Sequence, residues 1–153
     1  MIEILKTAPA ISAKRAEKLL KDGIVWIETF RRDTAFKKQI LDWVRYDQLR
    51  DEGVDEDGEV IGFYSYLTEV ISGGRKQQGT PYTLEDTGAF YRSMFISVAA
   101  DSFTIDGDTT KMEDQAWWSD GILGLTELDM QKLIDEYRAR LIDYAKRILL
   151  DNL

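Results

Sequence analysis

An apolar stripe at helical spacing constrains this fold more than any other feature of the sequence. Met130, Leu133, Ile134, Tyr137, Leu141, Tyr144, Ala145 and Ile148 recur at intervals of three and four residues. That spacing places them on one face of a helix of about six turns. Thr126 stands where an N-cap is needed. Asp129, three residues on, gives a capping-box-like start, with Asp in place of the usual Glu or Gln. The chain is therefore expected to end in a long amphipathic helix.

The first third also reads as helical. Ser12 can cap a helix over residues 12–21, with Ala13, Ala16, Leu19 and Leu20 on its apolar face and Asp22-Gly23 as a break. Ile24, Ile27 and Phe30 continue at helical spacing. Asp33 or Thr34 can cap a further helix carrying Phe36, Ile40, Trp43, Val44 and Leu49, with Gly53 as its stop.

Residues 53–82 are rich in Gly, Asp and Glu and read as a long exposed loop region. Asp57-Gly58 is a turn signal between Val54 and Val60. Residues 63–71 fit a strand or a short helix. Residues 73–79 form a glycine-rich loop carrying Arg75 and Lys76, and Pro81 keeps Thr80 extended. Asp86 or Thr87 is expected to cap a short helix through Ser93. Ile96 and Val98 alternate with Ser97, and Phe103 and Ile105 with Thr104, which predicts a β-hairpin with one buried face. A short helix is expected over residues 111–118. No repeat or linker divides the 153 residues, 44% of which are apolar, so they read as one α+β domain. Its parts are a helical N-terminal third, a central hairpin and a long C-terminal helix.

The residue inventory removes whole classes of chemistry. There is no Cys and no His. Disulfides, thiol nucleophiles, Cys-ligated zinc, Ser-His-Asp triads and HExxH sites are therefore excluded. No catalytic, metal or cofactor residues are assigned, and the chain is read as a non-enzyme. No segment has the roughly 20 apolar residues needed to span a bilayer. The N-terminus has no signal-peptide pattern, which leads to the expectation of a soluble protein made in the cytoplasm. The net charge of −8 disfavours gripping a phosphate backbone. An acidic surface can instead line a passage along which DNA slides without sticking.

Several superficial motifs have structural readings. With Gly58 set on the turn glycine of a calcium loop, Asp55 and Asp57 occupy ligand positions, but Gly53 and Tyr64 fall where the first and the bidentate ligands belong. Asp106-Gly107-Asp108 reads as a strand-end turn. Glu85 and Asp86 have a structural explanation in the dipole at a helix N-terminus. Gly73-Gly74-Arg75-Lys76 lacks phosphate-loop spacing. Trp117 and Trp118 are adjacent, and on a helix or strand both cannot face one small core, so one of them is expected at an interface.

Three segments carry a family resemblance. They are YDQLRDEGVD at 46–55, followed by Gly58 and Ile61-Gly62; GTPYTLEDTGAFYRS at 79–93; and GILGLT at 121–126. Together they resemble small virion proteins of tailed phages and prophages of Bacteroidetes, including crAss-like phages. Asp86-Thr87-Gly88 with Ser93 and the β-prone run that follows is also similar to tail-completion and head–tail joining proteins. Phe90-Tyr91 departs from the more usual leucine-arginine pair.

The resemblance implies an α+β ring subunit of the neck or tail barrel. Its partners would be copies of itself and neighbouring portal or tail ring proteins, with packaged DNA nearby. It implies no cofactor, no membrane and no catalysis, and places the chain in the virion. On this reading Asp86, Thr87 and Gly88 form a helix cap, with Gly88 allowing close approach of another backbone. Phe90 and Met94 share a buried face, while Tyr91 points toward a neighbouring subunit. Phe90, Tyr91, Trp117, Trp118, Arg75 and Lys76 are candidate interface residues. The rival expectations are a small cell-wall hydrolase using two carboxylates and a monomeric prophage interaction domain.

Overall fold

A computed structural model describes residue 23, residues 26–100 and residues 102–150. The helix expected over residues 12–21, and Ile24, lie outside the described residues.

A π-helical turn, Ile27–Arg32, buries Thr29 and Phe30. Asp33 then interrupts the winding and caps helix α1, Thr34–Asp42, by accepting the Phe36 N–H at 2.9 Å on Oδ1. Its other oxygen accepts from Arg140 of the C-terminal helix at 2.6 Å, and that guanidinium lies 4.2 Å from the Phe36 ring centroid. One carboxylate thus starts one helix and ties it to another. Asp33→Ala is expected to lower stability by roughly 1–3 kcal/mol, through the lost cap and the stranded guanidinium. Urea denaturation should show Asp33→Asn retaining part of that loss, because Asn keeps the cap but not the charge.

The backbone of α1 continues into a π-helical segment, Trp43–Glu52, which Gly53 ends in the left-handed conformation expected of a C-terminal glycine. The buried positions record the change of winding. Phe36, Ile40 and Val44 step by four, and Leu49 follows Val44 by five. A five-residue step stays on one face only where bonding widens to i→i+5.

Residues 53–82 form an arm with a structured base. Val54 bridges Val60 around the Asp57-Gly58 turn, and Phe63 bridges Pro81. Gly53, Val54 and Tyr64 are buried. Beyond them, Ser65 caps the six-residue helix α2, Tyr66–Ile71, accepting the Thr68 N–H at 3.2 Å. The stretch read as strand or helix is therefore an extended residue followed by a helix.

Helix α3, Ala89–Ser93, leads into strand β1, Phe95–Val98, which pairs antiparallel with β2, Phe103–Asp106. Ile96 opposes Ile105 and Val98 opposes Phe103, the alternation read from sequence. These four pack on the core, and Phe103 stacks on Phe30 at 5.1 Å. Residues 111–118 form successive turns rather than the expected helix, with Met112 donating to Thr109 O and Trp118 to Gln115 O. A 3-10 turn, Asp120–Leu123, buries Ile122.

Helix α4, Glu127–Leu150, begins as expected, with Thr126 Oγ1 accepting the Asp129 N–H at 3.3 Å. Leu133 is buried, and Tyr137 packs on Trp26 and Phe30, whereas Met130 and Ile134 are about 40% exposed at the edge of the stripe. The architecture is α+β, as read from the sequence. Among the described residues, no helix is long and apolar enough to cross a membrane.

Candidate functional site

The three segments singled out in the sequence converge. Tyr46 meets Tyr91 edge-on at 6.0 Å, and Arg45 donates to the Met94 carbonyl at 2.9 Å. Gly53 lies against Pro81 and the Tyr82 carbonyl, and Tyr82 N–H donates to Gly62 O at 2.8 Å. The Glu56 N–H donates to Gly121 O at 2.9 Å. Gln48 is the joint between the first and third segments. Its side chain is buried, donates to Gly124 O at 2.9 Å and accepts the Thr126 N–H at 3.2 Å. Close approach explains Gly62, where a Cβ would come within 2.7 Å of Tyr82 Cδ2.

The Asp86-Thr87-Gly88 cap differs in detail from expectation. Gly88 itself is the N-cap, at φ 76°, with no side-chain cap bond. Thr87 Oγ1 accepts the Ala89 N–H at 3.3 Å, while Asp86 is exposed with Lys76 Nζ 3.7 Å away. The close neighbour of Gly88 is the Arg92 guanidinium, 2.8 Å from a built Cβ, and not another backbone. Leu84, just upstream, is the single non-glycine residue at positive φ among the described residues, at 55°, and packs against the core.

Tyr91 does not point toward a neighbour. It is 4% exposed, and its hydroxyl donates to the Thr83 carbonyl. The helix ends at Ser93 and Met94 is extended, yet Phe90 and Met94 still come together at Gly107, where an added Cβ would lie 3.5 Å from Phe90 Cε2 and 3.4 Å from Met94 Cγ. Met94 is buried and Phe90 sits half-buried at the rim. Burial, with the Glu85 carboxylate adding, pushes the Tyr91 phenol well above its ordinary 10.0, and burial also raises Tyr137. The unfolded chain therefore releases these protons at a pH where the native chain retains them. Stability is full below about pH 10 and falls as pH rises beyond it, by up to about 1.4 kcal/mol per pH unit for each retained proton. Tyr91→Phe should flatten that alkaline loss but leave the Tyr137 share, as read from urea midpoints between pH 8 and 11.

Trp117 and Trp118 are both half-buried and both pack against the core, with Trp117 5.5 Å from Tyr82. Neighbouring side chains can do so because the segment turns instead of running as helix or strand. Lys76 folds back over the Tyr64 ring at 5.7 Å, whereas Arg75 is exposed at the tip of the arm.

An acidic cleft of about 690 Å³ lies between the π-helical segment, the Asp57-Gly58 turn and the start of α4. Asp47, Glu52, Glu56, Asp57 and Glu127 line it, with Leu128 at 66% exposure. Asp129 is buried there and bound by Lys132 at 2.7 Å, a hydrogen bond that raises the lysine pKa. Asp55 Oδ1 accepts the N–H groups of Asp57 and Glu59, the pattern of a turn. Among the described residues, no group of three or more Asp or Glu side chains is placed to hold a metal ion.

The sequence reading missed Gln48, Glu56, Arg45 and the exposure of α2. Only Gln48 left a signal, as a polar residue between apolar positions Val44 and Leu49. Comparison with known protein families, with curated proteins and with solved structures finds no match.

Proposed function

We propose that this chain is a structural subunit of a tailed-phage particle, one of several identical copies in a ring at the head–tail connection or in the tail barrel. In that position it joins portal and tail proteins and forms part of the passage for DNA. The chain is made in the host cytoplasm and ends in the virion. One observation carries the reading. The three segments that resemble such proteins meet one another, the first joined to the third by the Gln48 side chain and to the second by the Tyr46–Tyr91 ring contact and the approach of Gly53 to Pro81 and Tyr82. Side chains bonded in this way act as scaffold and are not presented to a substrate. The charge of −8 fits a wall past which DNA must move.

The acidic cleft favours a rival, a hydrolase using two carboxyl groups, because Glu52, Glu56, Asp57 and Glu127 line one concavity. Mass spectrometry of purified particles separates the two. A ring subunit is present at a fixed ratio of several copies per particle, and the purified chain leaves a peptidoglycan suspension turbid. Absence from particles, or clearing of the suspension that Glu127→Gln abolishes, overturns the proposal.

A further inference from the structure

More than half of the large exposed apolar side chains among the described residues lie on residues 60–81, the outer part of the arm. Val60, Phe63, Tyr66, Leu67, Val70 and Ile71 are 42–77% exposed. Helix α2 contributes no buried residue, so Leu67, Val70 and Ile71 add nothing to the core of their own chain. Clustered exposed apolar side chains of this kind mark an interaction surface.

The base of the 53–82 arm is acidic, with Asp55, Glu56, Asp57 and Glu59, but the charge on its outer part runs against that of the chain. Residues 61–80 carry Arg75 and Lys76 against one acid, Glu69, whose carboxylate accepts the Gln78 N–H at 2.8 Å. The net charge of the whole chain is −8. A phosphate backbone would match the cations but leave the aliphatic side chains without partners. A surface offering both carboxylates and apolar contact occurs on the same molecule. It is the cleft at the start of α4, where exposed Leu128 stands among Asp47, Glu52, Asp57 and Glu127.

We infer that the arm of one copy docks in the acidic cleft of the next copy, with Leu67 and Ile71 against Leu128 and Arg75 toward the carboxylates. Donor and acceptor are different surfaces, so the contact is head-to-tail, the kind that makes a ring when its rotation closes. The inference deepens the ring reading and rests on it.

The chain has no cysteine, so engineered thiols report without background. Full-length Ile71→Cys and Leu128→Cys chains are mixed and gently oxidised at high concentration. The mixture should yield a covalent dimer that neither chain forms alone, and the doubly substituted chain should yield a ladder of multimers. Raising salt should lower the yield, because the ion pairs are screened. Adding Leu67→Ser and Arg75→Glu to the Ile71→Cys chain should cut the yield roughly tenfold or more. These positions are exposed, so circular dichroism should show an unchanged fold.

Absence of the mixed dimer, or equal dimer from Ile71→Cys alone, overturns the inference. So does flotation with lipid vesicles that Leu67→Ser with Ile71→Ser abolishes, since the arm would then serve a membrane. Detection of the chain in particles is judged separately. Its presence without the mixed cross-link would leave the ring reading standing with a different interface.

Discussion

Gly53→Ala is expected to lower the unfolding free energy by roughly 3 kcal/mol, from two separate causes. The residue sits at φ 67° and ψ 37°, where a side chain costs roughly 1–2 kcal/mol. A Cβ there would also stand 2.6 Å from Pro81 Cβ and 2.8 Å from the Tyr82 carbonyl oxygen. The carbonyl is backbone and cannot rotate away. Relief would require the chain at 81–82 to shift, disturbing the bond from Tyr82 N–H to Gly62 O. Gly58→Ala is the control. Its φ is 76°, but nothing lies within 4 Å of the added carbon, so only the backbone cost of roughly 1–2 kcal/mol remains. Urea midpoints should therefore fall for both, and further for Gly53→Ala. Equal shifts would show that the arm base does not press on Gly53. With total stability of roughly 5–15 kcal/mol typical of a domain, the Gly53 change removes a large share.

Gln48→Leu is expected to cost a similar amount, roughly 2–4 kcal/mol, although the replacement is apolar and close in size. The side chain is 1% exposed and bonds both the Gly124 carbonyl and the Thr126 amide. Leucine leaves both groups without that partner in a part-buried setting, and an unmet buried polar group costs roughly 1–3 kcal/mol. The loss should be local as well as global. Thr126 is the cap of α4, so amide exchange at Thr126 and at Asp129, whose N–H the cap accepts, should speed up more than exchange in the β1–β2 hairpin. A destabilised but uniformly exchanging variant would mean that Gln48 acts only through packing.

Local signals made much of this fold legible. The start of α4, the stop at Gly53, the Asp33 cap and the 95–106 hairpin each depend on residues within a few positions of one another. What the sequence did not convey depends on length and on distant partners. The spacing of Phe90 and Met94 points Tyr91 away from their face, but residues distant in sequence cover it there, with Tyr46 against its ring and the Thr83 carbonyl on its hydroxyl. Regular structure would send Trp117 and Trp118 to opposite sides, and the turns there let both pack against the core. The π-helical winding of Trp43–Glu52 leaves only a faint trace, the five-residue step from Val44 to Leu49. Gln48 binds residues 76 and 78 positions away, which no local pattern reveals. For the candidate site, the three segments were legible as segments. Their meeting, and the cleft between the first segment and the start of α4, were not. The exposure of α2 was hidden because its apolar residues read equally well as core.

A particle reconstruction at side-chain resolution tests most directly the proposal that this chain is a ring-forming structural subunit. The predicted result is a closed ring of identical copies around the DNA passage, each 60–81 arm lying in the acidic cleft of its neighbour. Particles without the chain, or with it bound as an isolated copy, would contradict that claim.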